Sequence, residues 1–263
     1  MSDVLYSTVK EKLALGGVVF SMIVRLVPNV DIVQIIKSAG FDTFYVDLEH
    51  SPLSIETTNQ LASAAILARM DCFARVPVNT PEYVSRVLDA GCLGVIAPGI
   101  ASAEEAHALV EAAKYPPIGK RGASGVLPQT GYRLMPSTEP YETVNLMTTV
   151  MVMLESADAV DAAGEIAAVE GVDMVMIGTN DLLLDLGKPG AFDDPAVKDA
   201  YRHTIDVFTS HGKHVGVGGL ASRPDLVAAL VKMGARYVST GTALTFLAAA
   251  ARIKAQEVAK LEV

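Results

Sequence analysis

Two acids stand out by where they fall. Glu155 directly follows the apolar run Val150–Leu154, and Asp181 lies just beyond a second run, Val172–Ile177. Both runs are rich in Val, Ile and Met, and a helix-length segment separates them, the pattern of two buried parallel strands joined by a crossover helix. Parallel strands share an exit, so both carboxylates reach the C-terminal edge of one sheet, where α/β folds keep their ligands. Two carboxylates in mostly apolar surroundings repel each other and resist ionising unless a cation lies between them. A divalent metal is the chemistry that answers this. Helix N-caps and first-turn acids occupy the same position after a strand, and spacing alone does not separate the two roles.

The elements that must position these acids recur along the chain. Residues 4–15 read as a short helix with Leu5, Val9 and Leu13 on one face, ended by Gly16-Gly17. Strands are expected at Val18–Val24, Phe41–Val46, Cys72–Val76 and Leu93–Ala97, with helices at Ile32–Ala39, Glu56–Arg69, Pro81–Ala90 and Ala103–Ala113 between and after them. The period breaks at residues 115–137, a long loop rich in Pro and Gly, and loops of that length inside compact domains are usually functional. A short helix (139–147), strand five (150–154), a helix (159–168) and strand six (172–177) follow. The remainder reads as a helix at Pro195–Ser210, strand seven at His214–Val217, a helix at Arg223–Met233, strand eight at Arg236–Ser239 and an amphipathic helix from Thr242 to about Lys260. Eight short strands alternating with helices predict one (β/α)₈ TIM barrel spanning 1–263, with a doubly wound sheet as the competing topology.

In a barrel every residue just after a strand faces one mouth. That gathers Asp47, Glu49 and His50, then Arg75, Glu155 and Asp181, with the glycines of GVGG and Ser239-Thr240-Gly241. Arg75 at the end of a buried strand needs an anionic partner, one of these acids or a substrate carboxylate. His50 is equally a proton carrier or a satisfied loop histidine. Lys120-Arg121 offers a second anion site or a solvated pair. Gly216-Val217-Gly218-Gly219-Leu220-Ala221 matches a dinucleotide fingerprint in form, but no acid ends the next strand, so room for a phosphate or carboxylate is the better reading. No G-x-S-x-G is present, which leaves a nucleophile elbow unsupported.

Composition narrows the class further. The 263 residues are 51% apolar, without Trp, and carry a net charge of −9 that argues against nucleic-acid binding. Mean hydropathy is +0.35, yet no uncharged apolar run approaches the roughly 18 residues of a membrane span, so the surplus points to subunit contacts. The first residues lack a basic segment followed by an apolar one, so no secretory leader is expected. Cys72 and Cys92 have no metal-site spacing and read as reduced core thiols of a cytoplasmic protein.

The segments YVDLEH (45–50), ARVP (74–77), RVLDAG (86–91), YPPIGKRG (115–122), LES (154–156) and EGVDMVMIGTNDL (170–182) resemble the HpcH/HpaI family of class II, pyruvate-dependent aldolases. The likeness runs from about residue 16 to 250 with the motifs in family order. It implies a barrel of the phosphoenolpyruvate/pyruvate type and a homo-oligomer, a hexamer built as a trimer of dimers that exchange the last helix. It matches Glu155 and Asp181 with metal ligands, and Arg75 with the arginine on the enolate oxygen. Asp47 and His50 match a dyad beside a metal-bound water, and Glu49 a supporting acid. Asp89 matches an acid reaching a neighbouring subunit's site, and the turn Gly178, Thr179, Asn180 and Asp181 matches the seat of the pyruvate carboxylate. The implied cofactor is Mg²⁺, Mn²⁺ or Co²⁺, and the implied partners are pyruvate, or a close 2-oxo acid such as hydroxypyruvate, and an aldehyde.

Three departures bear on substrate. Met153 stands where the family often has Gln, on the same strand face as Glu155. The usual Gly-Pro-Ala-Asp turn reads Gly178-Thr179-Asn180-Asp181, and no Trp follows the long loop. No lysine ends a strand in the mouth, which argues against a Schiff base. A related lyase acting on CoA thioesters and a non-catalytic barrel are the alternatives. No basic patch suits a nucleotide diphosphate, and assembly alone would not require Arg75, Glu155 and Asp181.

Overall fold

A computed structural model describes residues 6–133 and 139–261. Residues 4 and 5 of the expected first helix and 134–137 of the long loop lie outside the described residues. The chain runs α1 (Thr8–Ala14), β1 (Val19–Val24), α2 (Asp31–Ser38), β2 (Thr43–Asp47), α3 (Ile55–Leu67), β3 (Asp71–Arg75), α4 (Pro81–Asp89), β4 (Gly94–Ala97) and α5 (Ala103–Ala113). It continues through α6 (Glu139–Met147), β5 (Thr149–Leu154), α7 (Ala157–Asp161), α8 (Ala163–Ala168), β6 (Met174–Gly178), α9 (Thr179–Asp185) and α10 (Pro195–Ser210). It closes with β7 (His214–Gly218), α11 (Pro224–Met233), β8 (Tyr237–Thr242) and α12 (Ala243–Val258). The eight strands pair in sequence order, all parallel, and β8 pairs back to β1, so the sheet is a closed (β/α)₈ barrel and not a doubly wound sheet.

Period-2 alternation divides the core in two. Outward residues such as Val46, Ala74, Val152, Val175 and Val217 pack under the helices, and their inward neighbours fill the barrel. The interior is uneven. On the β3/β8 side Phe73 and Tyr237 stack with centroids 6.2 Å apart, and Gly94 makes room, since a Cβ there would lie 2.6 Å from the Phe73 ring. On the β5/β6 side four methionines, Met151, Met153, Met174 and Met176, fill the space instead.

Three elements differ from expectation. The helix over 159–168 is two pieces that meet at Ala162, where ψ is 0° and the ladder restarts; Gly164, a weak helix former, sits just past the joint. Thr179–Asp185 is helical although no turn signal sets it off from β6, so Asp181 lies in a helix's first turn. The long loop contains a 3₁₀ turn at Pro128–Thr130 and, as a helix-to-strand connection, closes the barrel end opposite the mouth, where the Gln129 amide donates to the carbonyls of Leu88 and Cys92.

The last helix is the anomaly. In α12 every residue after Ala243 is exposed, including Leu244, Phe246, Leu247, Ile253 and Val258. Beside it an apolar groove of about 280 Å³, lined by Val18, Phe20, Leu220, Val227, Val231 and Val238, lies where a barrel's eighth helix would pack. No helix among the described residues is long and apolar enough to cross a membrane.

Candidate active site

Asp47 is the hub of the mouth. As the last residue of β2 its side chain points into the barrel with no solvent exposure and accepts five hydrogen bonds. Arg75, the last residue of β3, donates Nε to Oδ1 at 3.0 Å and Nη2 to Oδ2 at 2.7 Å. Arg25, one residue past β1, donates Nε to Oδ2 at 2.5 Å, and the backbone N–H groups of Glu49 and His50 each reach Oδ1 at 3.2 Å. Burial alone would raise this carboxyl; the two guanidiniums and the His50 N–H outweigh it and hold the group below the usual carboxylate range. Burial likewise works against the Arg75 charge, and Asp47 more than offsets it, so Arg75 stays a fixed cation.

Arg75 also meets Glu49, with Nη1 2.9 Å from Oε2. The contact lacks hydrogen-bond geometry, so Glu49 Oε2 remains a buried acceptor without a donor. The His50 ring is 53% exposed and its Nε2 lies 3.7 Å from Glu49. The resemblance paired Asp47 with the His50 ring, but Asp47 grips the His50 backbone instead. Its lone pairs are spent on the arginines and on the turn.

Glu155 directly follows β5, and Asp181 lies in the first turn of α9, which directly follows the adjacent strand β6. Glu155 Oε2 accepts the Gly99 N–H at 2.7 Å. Gly178 is what lets β6 pass so close, because a Cβ there would sit 2.8 Å from the Glu155 side chain. Burial raises the Glu155 carboxyl, and the Asp181 and Glu49 charges add to the shift against the Gly99 hydrogen bond and Arg75. Such a pair fits a divalent cation, which supplies the missing positive charge. Among the described residues no cluster of three or more His, Cys, Asp or Glu forms a closed metal cage. Two carboxylates with the other positions left to water and substrate is how Mg²⁺ is commonly held.

A cavity of about 360 Å³ lies over this edge, walled by His50, Arg75, Asp181 and Arg25, with Met153 and Met176 among its apolar walls. Thr179 borders it too, but its hydroxyl is spent on Tyr201 Oη and the Gly218 carbonyl, both at 2.9 Å, so its side chain bolts β6 to β7 and α10. Asn180 reaches the Gly219 carbonyl at 3.3 Å. Asp89 is elsewhere, at the C-terminal end of α4, paired with Arg121 at 2.5 Å. Exposed Lys120 pairs with half-buried Glu111 at 2.6 Å, and Arg121 is buried against the Tyr115 ring, so the two do not form one anion site. Sequence reasoning missed Arg25. The alternation Ser21, Ile23, Arg25 carries the inward face one step beyond the strand, and following it would have found the residue.

The family model for HpcH/HpaI aldolase/citrate lyase matches residues 22–250. A 4-hydroxy-4-methyl-2-oxoglutarate aldolase of Chaetomium globosum is 34% identical over 260 residues, covering 98% of this chain and 97% of that protein. A protein of the same name from Hapsidospora irregularis is 39% identical over 199 residues, 75% of this chain and 74% of its own. The crystal structure of an HpcH/HpaI aldolase from Desulfitobacterium hafniense superposes with a TM-score of 0.89 at 31% identity, covering 98% of each chain. On the match over nearly the whole barrel, the chain belongs to the HpcH/HpaI aldolase/citrate lyase family.

Proposed function

We propose that the chain, read as one barrel domain over 1–263, is a class II aldolase that reversibly cleaves a 4-hydroxy-2-oxo acid to pyruvate, or a close 2-oxo acid, and an aldehyde or ketone. The observation that carries the reading is Asp181 and a permanently charged Arg75 on the wall of one cavity, with Glu155 close enough to feel both charges. In cleavage the C4 hydroxyl loses its proton and C4 becomes a carbonyl. The C3–C4 bond breaks, its electron pair passes to the enolate of pyruvate, and a proton returned to C3 completes the product.

A divalent cation, Mg²⁺, Mn²⁺ or Co²⁺, held by Glu155 and Asp181 would supply Lewis acidity at the 2-oxo and carboxylate oxygens. Arg75 stabilises negative charge on the enolate oxygen and cannot lose its proton to do so. His50, half exposed on the cavity wall, takes and returns the hydroxyl proton, with Glu49 as its acidic neighbour and Asp47 fixing its backbone. The turn Gly178–Asp181 seats the substrate carboxylate through backbone N–H groups, since the Thr179 hydroxyl is already engaged.

The active form in this reading is a homo-oligomer, a hexamer made of helix-exchanged dimers. The exposed apolar side of α12 and the open groove beside β1, β8 and α11 in the same chain support a second copy whose last helix fills that groove. Asp89 sits at the barrel end opposite its own mouth, which suits a role in a neighbouring copy's site. Both cysteines are buried and free, in keeping with a cytoplasmic setting. The testing experiment is pyruvate release from a 4-hydroxy-2-oxo acid by chelator-treated protein, with and without added metal. Release that needs metal supports the reading, and full activity after metal removal overturns it.

A further inference from the structure

A cavity of about 370 Å³ lies at the barrel end opposite the mouth. Thr149, Met174 and His214, the first residues of β5, β6 and β7, form its inner wall, and α1 covers it with Lys10 and Leu13. None of these residues takes part in the site at the mouth.

The polar groups around it are mostly cationic. Lys10 Nζ reaches Asp173 at 2.8 Å, and Lys213 Nζ donates to the Val169 carbonyl. Each ammonium keeps two further donors that no described residue accepts. Among the described residues Asp173 is the one acid on the cavity wall, and its oxygens are committed to Lys10, to buried Lys114 and to the Val150 N–H. Exposed Glu170 is the other acid that acts on Lys213. Burial, then the charges of Arg236 and Lys10, hold the His214 ring below its ordinary value against the pull of Asp173. In a chain of net charge −9, this gathering of positive charge is a local arrangement and not a consequence of composition. Thr149 Oγ1 is buried without a hydrogen-bond partner, and the His214 ring has none among the described residues.

Unspent ammonium donors, an imidazole and a hydroxyl around a space of ligand size match an anion. The donor types indicate its shape. No arginine is on this wall among the described residues, so no planar fork awaits a carboxylate, and lysines act as separate point donors that suit tetrahedral phosphate oxygens. We infer that this cavity binds a phosphoryl group, as free phosphate or as a small phosphomonoester whose remainder lies against Leu13, Val172 and Met174. Bound there, the group ties α1, through Lys10, to the start of β7, through Lys213 and His214. The inference is independent of the aldolase reading.

The test is calorimetric titration of the full chain with inorganic phosphate, glycerol 3-phosphate and acetate at fixed ionic strength, beside an NMR pH titration of the His214 ring. Wild type should bind both phosphates, with acetate weaker by roughly tenfold, and bound phosphate should raise the His214 pKa. Lys213→Gln, which can still donate to the Val169 carbonyl, should weaken phosphate binding about tenfold, the size of a lost charged hydrogen bond. Thr149→Val should weaken it too, yet leave Tm unchanged or higher without phosphate, because the hydroxyl it removes is unpaired. Tighter binding of glycerol 3-phosphate supports an ester as the ligand, and tighter binding of inorganic phosphate supports the free ion. Acetate bound as tightly as phosphate overturns the inference, as does no phosphate binding up to about 10 mM. Binding that both substitutions leave unchanged puts the anion elsewhere and overturns it as well. A wild-type His214 pKa that phosphate does not move refutes it without recourse to any variant.

Discussion

Asp47→Asn should damage this protein more through its fold and Arg75 than through His50. The substitution keeps shape and volume but replaces one acceptor oxygen with an amide donor. If Oδ1 keeps facing Arg75 Nε and the backbone N–H groups of Glu49 and His50, the new NH₂ confronts Arg75 Nη2 and Arg25 Nε, two donors now 2.7 and 2.5 Å from an acceptor. Arg75 stays buried, with Glu49 alone for charge compensation. Removing one partner of a buried ion pair costs about 3–5 kcal/mol, against a total stability of about 5–15 kcal/mol. For a chain of this size that corresponds to a fall in Tm of about 6–20 °C. The pH dependence has a definite sign. Asp47 is held below its ordinary value of 3.8, so its contribution is complete above that pH and disappears as pH falls through the folded-state value. Thermal unfolding of wild type and Asp47→Asn at pH 7 and pH 3 measures both effects. The gap should be widest at pH 7 and smaller at pH 3, shrinking as the pH falls from 3.8 toward the folded-state value. A gap under about 2 °C at pH 7, or one that persists unchanged in acid, refutes the hub.

Other outcomes follow from the same geometry. Glu155→Gln and Asp181→Asn should each abolish metal-dependent activity, and in metal-free protein Glu155→Gln should not lower Tm, because it removes a carboxylate crowded by two others; a clear drop in Tm contradicts this. His50→Ala should lower kcat by roughly 10²–10⁴-fold with little change in Tm, and unchanged turnover at saturating substrate would make the ring structural. Leu247→Asp combined with Ile253→Asp should shift the oligomer toward monomer in light scattering, and wild-type Tm should rise with protein concentration; a concentration-independent monomer removes the exchanged helix. Met153→Gln should destabilise metal-free protein by about 1–3 kcal/mol, the cost of an unpartnered buried amide, and added metal should recover part of it in the melting curve.

The sequence carried the barrel well because its strands are short, buried and separated by capped helices such as Ser102 before Ala103–Ala113. It also carried the strand-end charges, since direct succession on a parallel strand decides which mouth a residue faces. It did not carry the Asp47–His50 relationship, because a three-residue separation in a turn is compatible with a ring contact or a backbone contact, and only the competition from Arg75 and Arg25 decides. Helix α9 was invisible because Leu182–Leu184 follows the strand with no breaker between. The path of α12 was beyond reach for a different reason. An amphipathic face reads identically whether it is buried on its own barrel or on another.

The barrel's two sides differ in mechanical character. Between β1 and β3 the mouth is braced by a charged lattice in which Arg25 and Arg75 both grip Asp47 and Arg75 also meets Glu49. Between β5 and β6 the wall is thioether, unbranched and polarisable, and it re-forms around changes in shape at small cost. Selection by charge therefore belongs to the stiff side and tolerance of bulk to the compliant one. An engineer who wants new substrates should recut Met153 and Met176 and leave Asp47 alone. The compliant side has its own weakness: a sulfoxide on either methionine would set a polar group into an apolar wall.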